Sequence, residues 1–193
     1  MPRAGPGVHF LPRQDIVSNS MLRPVRRAGL SLVVGAALLG GPPVHAQQFE
    51  YAHSNGCGNV FLYGWNELRD EAILVRIDRE RAGLPVGTSS LELADTRKAV
   101  DVSVELYPRP QPHLGYCSDV RLPEEDRPLA RLTAESGQLT ITLGQPGVVK
   151  DAQPGMYEAT AMLRNVVFKR ADGTTVSMKG PVTLKAVVGW VSG

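Results

Sequence analysis

Residues 100–107 read Val-Asp-Val-Ser-Val-Glu-Leu-Tyr, a strict alternation of apolar and other side chains. Successive side chains of a β-strand point to opposite faces of a sheet, so this stretch predicts a strand with one buried face. Residues 138–143 and 157–164 alternate in a similar way. No stretch keeps a helical period over three turns, and we therefore predict an all-β chain.

Turn residues separate the strand candidates at intervals of about ten residues. Asp172-Gly173 lies between two β-prone runs and predicts a hairpin whose second strand is Thr175–Met178. The proline-dense segment Tyr107–His113 ends the strand before it, because proline cannot donate a ladder hydrogen bond. We predict eight or nine strands in an antiparallel, immunoglobulin-like β-sandwich with one disulfide, and a β-barrel is the alternative.

Residues 21–46 have the pattern of a secretory signal peptide. Three arginines lie between positions 23 and 27, residues 28–39 are mostly apolar, and Ala46 is a small residue at the expected cleavage point. The uncharged run 28–44 has 17 residues, whereas a membrane span needs about 20 apolar ones. We therefore expect cleavage rather than anchoring, and a periplasmic or secreted protein without a transmembrane segment.

The expected organisation has three parts. Residues 1–20 fit no targeting pattern, which indicates a start assigned too far upstream, and a disordered translated extension is the alternative. Residues 21–46 are the signal peptide, and residues 47–193 form a single domain of 147 residues, enough to bury a core. This domain keeps 16 basic and 18 acidic residues, a net charge of −2 against +2 for the whole chain. Its charge argues against nucleic acid as a partner.

Cys57 and Cys117 are the two cysteines of the chain, and in an oxidising compartment an even pair predicts a disulfide. His53 and His113 each lie four residues before a cysteine, so the four side chains also have the ligand types of a zinc or copper site. Positions four apart on a strand are about 13 Å from each other, so one ion could take both only if the chain bends. We predict the disulfide without a cofactor, and the metal site is the alternative.

Phe61, Tyr63 and Trp65 alternate along an apolar run, which places the three rings on one face of a strand. The opposite face is apolar as well. One interpretation is a central strand whose second face a loop covers. The other is an exposed aromatic strip that binds a protein, a peptide or a glycan.

Several other features have a structural interpretation. The acidic groups Asp70-Glu71 and Glu124–Asp126 are expected in solvated turns rather than in acid/base or calcium sites. Residues 55–59 tolerate positive φ angles and are expected to form a tight loop at the disulfide. Trp190 is expected to cover one end of the core.

The sequence has no G-x-S-x-G, H-E-x-x-H, Walker A or G-x-G-x-x-G motif. We therefore expect a non-enzymatic exported module with a binding or structural role, whose partner is an unidentified protein, peptide or glycan. A periplasmic metal-binding protein is one alternative. The other is a hydrolase whose site is assembled in space around His53 or His113.

Overall fold

The computed structural model describes residues 45–111, 116–118, 123–124, 127–149 and 153–189. Most of these residues lie in ten strands. The strands are β1 (His45–Gln48), β2 (His53–Cys57), β3 (Phe61–Trp65), β4 (Glu71–Ile77), β5 (Gly87–Glu92), β6 (Val100–Leu106), β7 (Ala130–Leu143), β8 (Tyr157–Lys169), β9 (Thr175–Lys179) and β10 (Val182–Val188).

The ten strands form one hydrogen-bonded sheet that is mostly antiparallel. Its order is β1-β9-β8-β7-β6-β4-β3-β2, and in addition β10 pairs with β8 and β5 pairs with β7. The parallel pair is β1 with β9. The sheet curls into a half-barrel that surrounds the main hydrophobic core.

The two longest strands, β7 and β8, explain the curl. β7 pairs with β6 through Ala130–Thr133 and with β5 through Gln138–Leu143, and β8 is divided in the same way between β9 and β10. The register of the β7–β8 pair shifts at Ser136, where Gly137 and Asn165 adopt φ angles of 125° and 53°. Such a bulge bends a strand and increases its twist, so each long strand turns from one wall of the half-barrel to the next.

The structure confirms the all-β class and the mostly antiparallel pairing. Because strand pairing follows one continuous sheet, the immunoglobulin-like sandwich is not confirmed, and the barrel alternative is partly consistent. The prediction of a tight loop over residues 55–59 is wrong for residues 55–57, which lie in β2. The chain turns only after them, at Gly58 with a φ of 60°.

The alternation of residues 100–106 is confirmed on its apolar side, since Val102 and Val104 lie in the main core. The polar side is buried too, because Ser103 is fully buried and Glu105 is 8 % exposed. The sheet is therefore covered on both faces at β6.

Two glycines allow β10 to pass close to β2 and β3. A methyl group at position 64 would lie 2.5 Å from the Leu184 side chain, and one at position 56 would lie 2.7 Å from the Ala186 Cβ. At the edge of β2, the Ser54 hydroxyl donates to the carbonyl of Lys185 at 2.7 Å and accepts from its N–H at 3.1 Å. These contacts join β2 to β10 without a regular ladder.

Within the described ranges, no helix has the length and apolar character needed to span a bilayer.

Candidate functional site

The predicted aromatic strip lies on the convex face of β3. Tyr63 is buried, with 5 % of its surface exposed, whereas Phe61 and Trp65 are half-buried. The centroid of the Tyr63 ring lies 5.5 Å from that of Phe61 and 5.7 Å from that of Trp65. The three side chains therefore form a continuous row of rings whose middle member has little access to solvent.

Tyr116 covers this row. Its ring meets Tyr63 edge to face, with centroids 4.9 Å apart, and meets Phe61 at 6.0 Å. Cys57 is the register partner of Phe61, so the bond from Cys57 to Cys117 holds the neighbouring Tyr116 over the strip. Tyr116 thus lies over the Phe61–Tyr63 end of the strip, as the interpretation of a loop over the second face of the strand would require. A binding role for the strip stays a prediction.

A buried carboxylate fixes the same covering segment. Glu105 Oε2 accepts hydrogen bonds from the hydroxyls of Tyr107, at 2.9 Å, and Tyr116, at 2.8 Å. Burial raises the pKa of Tyr107 and the pKa of Tyr116, so both phenols stay protonated donors at neutral pH. The carboxylate thus has two internal donors and serves to anchor the segment.

The predicted disulfide is present between Cys57 and Cys117, whose Cα atoms are 5.9 Å apart. Because the two sulfur atoms are bonded to each other, neither is a thiolate ligand in this state.

His113 lies outside the described residues. His53 stacks on Trp65 with centroids 5.5 Å apart and lies 3.6 Å from a carboxylate oxygen of Glu67.

No group of three or more His, Cys, Asp or Glu side chains suited to a metal ion occurs in the described part of the chain. The metal site at His53, Cys57, His113 and Cys117 stays a prediction that concerns the reduced protein. The hydrolase around His53 or His113 also stays a prediction. Trp190 and residues 125–126 lie outside the described residues.

The turn between β3 and β4 is held by one side chain, Asn66. Its Oδ1 accepts hydrogen bonds from the N–H groups of Asp70, at 3.2 Å, and Glu71, at 3.3 Å, while its Nδ2 donates to an Asp70 carboxylate oxygen at 2.6 Å. This Asx-type bonding fixes where β4 begins. Glu71 is therefore placed on the same side of β4 as Ile73 and Val75, which lie in the main core.

A cleft of about 770 Å³ opens beside Glu71, where the β1–β2 connection, the β3–β4 turn and the start of β10 meet. We call it the Glu71 cleft. Its lining consists of Gln48, Phe49, Glu50, Tyr51, Ala52, Asn66, Glu67, Leu68, Glu71, Pro181, Val182 and Thr183.

Glu71 is half-buried at the wall of this cleft. Burial raises the pKa of its carboxyl, and the negative charge of Asp70 raises the pKa further, while the nearby Tyr51 hydroxyl acts in the opposite direction. The Gln47 amide Nε2 lies 3.5 Å from Glu71 Oε2. No ion pair joins Glu71 to a basic side chain within the described ranges.

Tyr51 lies beside Glu71. Its hydroxyl is buried next to the Glu71 carboxyl group, which acts on it through its charge and as a hydrogen-bond acceptor, and it has no other partner among the described residues. Burial, with the charge of Glu71, raises the pKa of Tyr51. The ring stacks on Phe49, with centroids 6.3 Å apart and planes 8° apart. The cleft therefore combines a desolvated carboxyl group, a neutral phenol and an aromatic wall.

The expectation of a solvated turn at Asp70-Glu71 is wrong for Glu71, whose side chain is half-buried. One signal could have indicated this: Glu71 is in phase with Ile73, Val75 and Ile77, the positions of its strand that face the main core. The contribution of Tyr51 has no comparable signal, because it lies in a connection rather than in a strand.

Comparisons of the chain with protein-family models, with curated proteins and with solved structures give no match.

Proposed function

We propose that this chain is an exported, non-enzymatic module that binds a small ligand in the Glu71 cleft. The observation that carries the proposal is the cleft itself. Its volume of about 770 Å³ falls within the range typical of ligand sites, roughly 300–1,000 Å³. Phe49 and Val182 give the lining an apolar part. Six of its twelve residues are polar or charged, namely Gln48, Glu50, Asn66, Glu67, Glu71 and Thr183, so a ligand with both polar and apolar groups fits it best.

The lining offers a single candidate for acid/base chemistry, the carboxyl group of Glu71 with its raised pKa, and this supports binding rather than catalysis. General acid/base or nucleophilic catalysis needs an activated group within reach of a reacting atom. The Tyr51 phenol is held neutral by its raised pKa, which makes it a poor base. Glu71 is the one half-buried carboxyl of the lining, and the carboxyls of Glu50 and Glu67 are exposed.

Two features support export. A disulfide persists in oxidising compartments, and residues 21–46 have the pattern of a cleavable signal. Cleavage after Ala46 would shorten β1 to Gln47-Gln48. The cleft begins at Gln48, so its lining would remain complete.

The test of ligand binding uses amide NMR spectra of the protein with a mixture of cationic, neutral and anionic fragments. We expect shift changes centred on Leu68, Glu71 and Val182. Thr183→Trp fills the cleft and should abolish them, whereas Thr88→Trp, an exposed position on β5, should not. Shift changes that survive Thr183→Trp would contradict a ligand site in this cleft.

The test of export is the intact mass of the protein recovered from the periplasm or the medium of a bacterial host. We expect a chain that begins at Gln47 and contains no free thiol. An uncut chain with both cysteines reduced would contradict export.

A further inference from the structure

We infer that the ligand of the Glu71 cleft is a primary amine on an aliphatic chain, bound through its ammonium group. This inference rests on the proposed function and adds the chemical class of the ligand. It follows from three observations on the lining: its charge, the state of Glu71, and the apolar surface around it.

The charge of the lining has one sign. Glu50, Glu67 and Glu71 contribute carboxyl groups, and none of the twelve lining residues is Lys, Arg or His. A concave surface lined by one sign of charge concentrates ligands of the opposite sign. The potential in the cleft therefore favours a cation and disfavours carboxylates or phosphates.

Glu71 has the environment of a carboxylate that lacks its counter-charge. It is half-buried, its neutral neighbours are the amide of Gln47 at 3.5 Å and the Tyr51 hydroxyl, and Asp70 beside it has the same charge. A desolvated carboxylate is costly unless a cation or strong donors accompany it. A bound ammonium would supply both.

Glu105 provides the contrast within the same molecule. It is more deeply buried than Glu71, but one of its oxygens accepts two phenol hydrogen bonds from Tyr107 and Tyr116. Its requirement for donors is met inside the fold, and it lines none of the described clefts. Among the described residues Glu71 has no comparable pair of short donor contacts, since its Gln47 contact is 3.5 Å long.

The rest of the cleft suits the aliphatic part of an amine. Phe49 and Tyr51 stack to form an aromatic wall, and Val182 adds aliphatic surface. The face of an aromatic ring attracts a cation. Leu68 stands at the rim with 64 % of its surface exposed and adds apolar surface that a ligand chain can contact.

The experiment compares three probes of equal length by titration calorimetry at neutral pH: hexylammonium, 1-hexanol and hexanoate. We expect hexylammonium to bind most tightly and hexanoate not to bind. Glu71→Gln keeps the shape and removes the charge, and should weaken hexylammonium about tenfold or more, because hydrogen bonds to charged groups contribute about 1.5–3 kcal/mol.

Glu80→Gln is the matched control. It removes the same charge from an exposed residue just beyond the opposite end of β4, about 20 Å along the strand direction. We expect it to leave hexylammonium binding within about twofold, since charges at that distance are screened. Equal weakening by the two variants would overturn the role of Glu71.

Leu68→Lys keeps the inference testable if Glu71→Gln does not fold. It places a competing ammonium at the exposed rim and should also weaken hexylammonium. Equal affinities for hexylammonium and 1-hexanol would overturn the ammonium inference and leave the cleft as a binding site. If no fragment shifts the amide signals at the cleft of the wild-type protein, the proposed function is overturned as well.

The same ammonium can come from a free amine or from a lysine side chain. Nα-acetyl-lysine amide distinguishes the two sources. Weaker binding of this compound than of hexylammonium supports a free amine, and tighter binding supports a lysyl side chain of a peptide. Failure of both compounds to bind overturns the inference.

Discussion

The Tyr107 hydroxyl donates a hydrogen bond of 2.9 Å to the buried carboxylate of Glu105. The two residues are two positions apart, so this bond holds the start of the segment after β6, which continues toward Cys117. The Tyr51 hydroxyl, at the Glu71 cleft, is buried and meets only the half-buried carboxyl group of Glu71. The two phenol hydroxyls thus differ in how well they are paired.

Tyr107→Phe should destabilise the protein by about 1–3 kcal/mol, because it leaves a buried acceptor with one donor fewer. Tyr51→Phe is the matched control: it removes a hydroxyl whose one neighbour is the half-buried carboxyl group of Glu71, and it should cost less than Tyr107→Phe. Urea unfolding measures both changes. A greater loss for Tyr51→Phe than for Tyr107→Phe would show that the Tyr51 hydroxyl is bonded in solution.

Replacement of both cysteines, Cys57→Ser with Cys117→Ser, should lower the free energy of unfolding by about 4 kcal/mol. The bond closes a loop with a sequence separation of 60 residues, and the chain-entropy relation gives this magnitude. Urea unfolding of the variant and of the reduced wild type should agree. If the unfolding midpoint does not move, the bond is not a main constraint on the unfolded chain.

Gly64→Ala should destabilise the protein by about 1–3 kcal/mol, because the new methyl group would lie 2.5 Å from the Leu184 side chain. Leu184→Ala is destabilising by itself, since Leu184 is fully buried in the core. In the double variant the overlap is relieved, so the two losses should be less than additive. Strictly additive losses in urea unfolding would mean that the loss caused by Gly64→Ala does not come from an overlap with the Leu184 side chain.

The raised pKa of Glu71 predicts a pH dependence of stability. The folded state binds this proton more tightly than the unfolded state, so the contribution of Glu71 falls as pH rises from the ordinary carboxyl range through its folded pKa. The groups that face it are Asp70 and Tyr51, with Gln47 as a neutral neighbour.

Glu71→Gln should remove this dependence and become more stable relative to the wild type as pH rises from about 4 to about 8. Thermal unfolding of both proteins across that range measures the difference. Glu80→Gln should show no such trend. A relative stability of Glu71→Gln that decreases with pH would mean that the carboxylate is already paired with a cation.

Much of the strand content could be predicted from local alternation. The hairpin at Asp172-Gly173 is present, with Gly173 at a φ of 87°, and β6 covers the residues that alternate from Val100 to Leu106. In these places the local pattern and the tertiary environment agree, because one face of the strand meets the core.

The curvature could not be predicted in this way. Gly137 comes just before the alternating residues 138–143, and Asn165 comes just after residues 157–164, so the alternation predicts strands shorter than β7 and β8. In the structure these two residues face each other as a bulge, which depends on a pairing between residues far apart in sequence. Local patterns contain no information on such a pairing.

The candidate cleft could be predicted only in part. Glu71 is in phase with buried positions, but the neighbouring Asp70 and the turn residue Asn66 favour a solvated interpretation. Tyr51 reaches the cleft only because β10 and the β3–β4 turn fold next to its connection. The site is thus a product of topology more than of any local motif.

Gly56 and Gly64, which let β10 lie against β2 and β3, have a consequence for evolution. Any larger residue at either position would push β10 away from β2 and β3, so selection should tolerate few residues other than glycine there. A glycine pair eight residues apart, with a cysteine directly after the first glycine, is thus a fingerprint for recognising remote homologues of this architecture after other similarity has decayed.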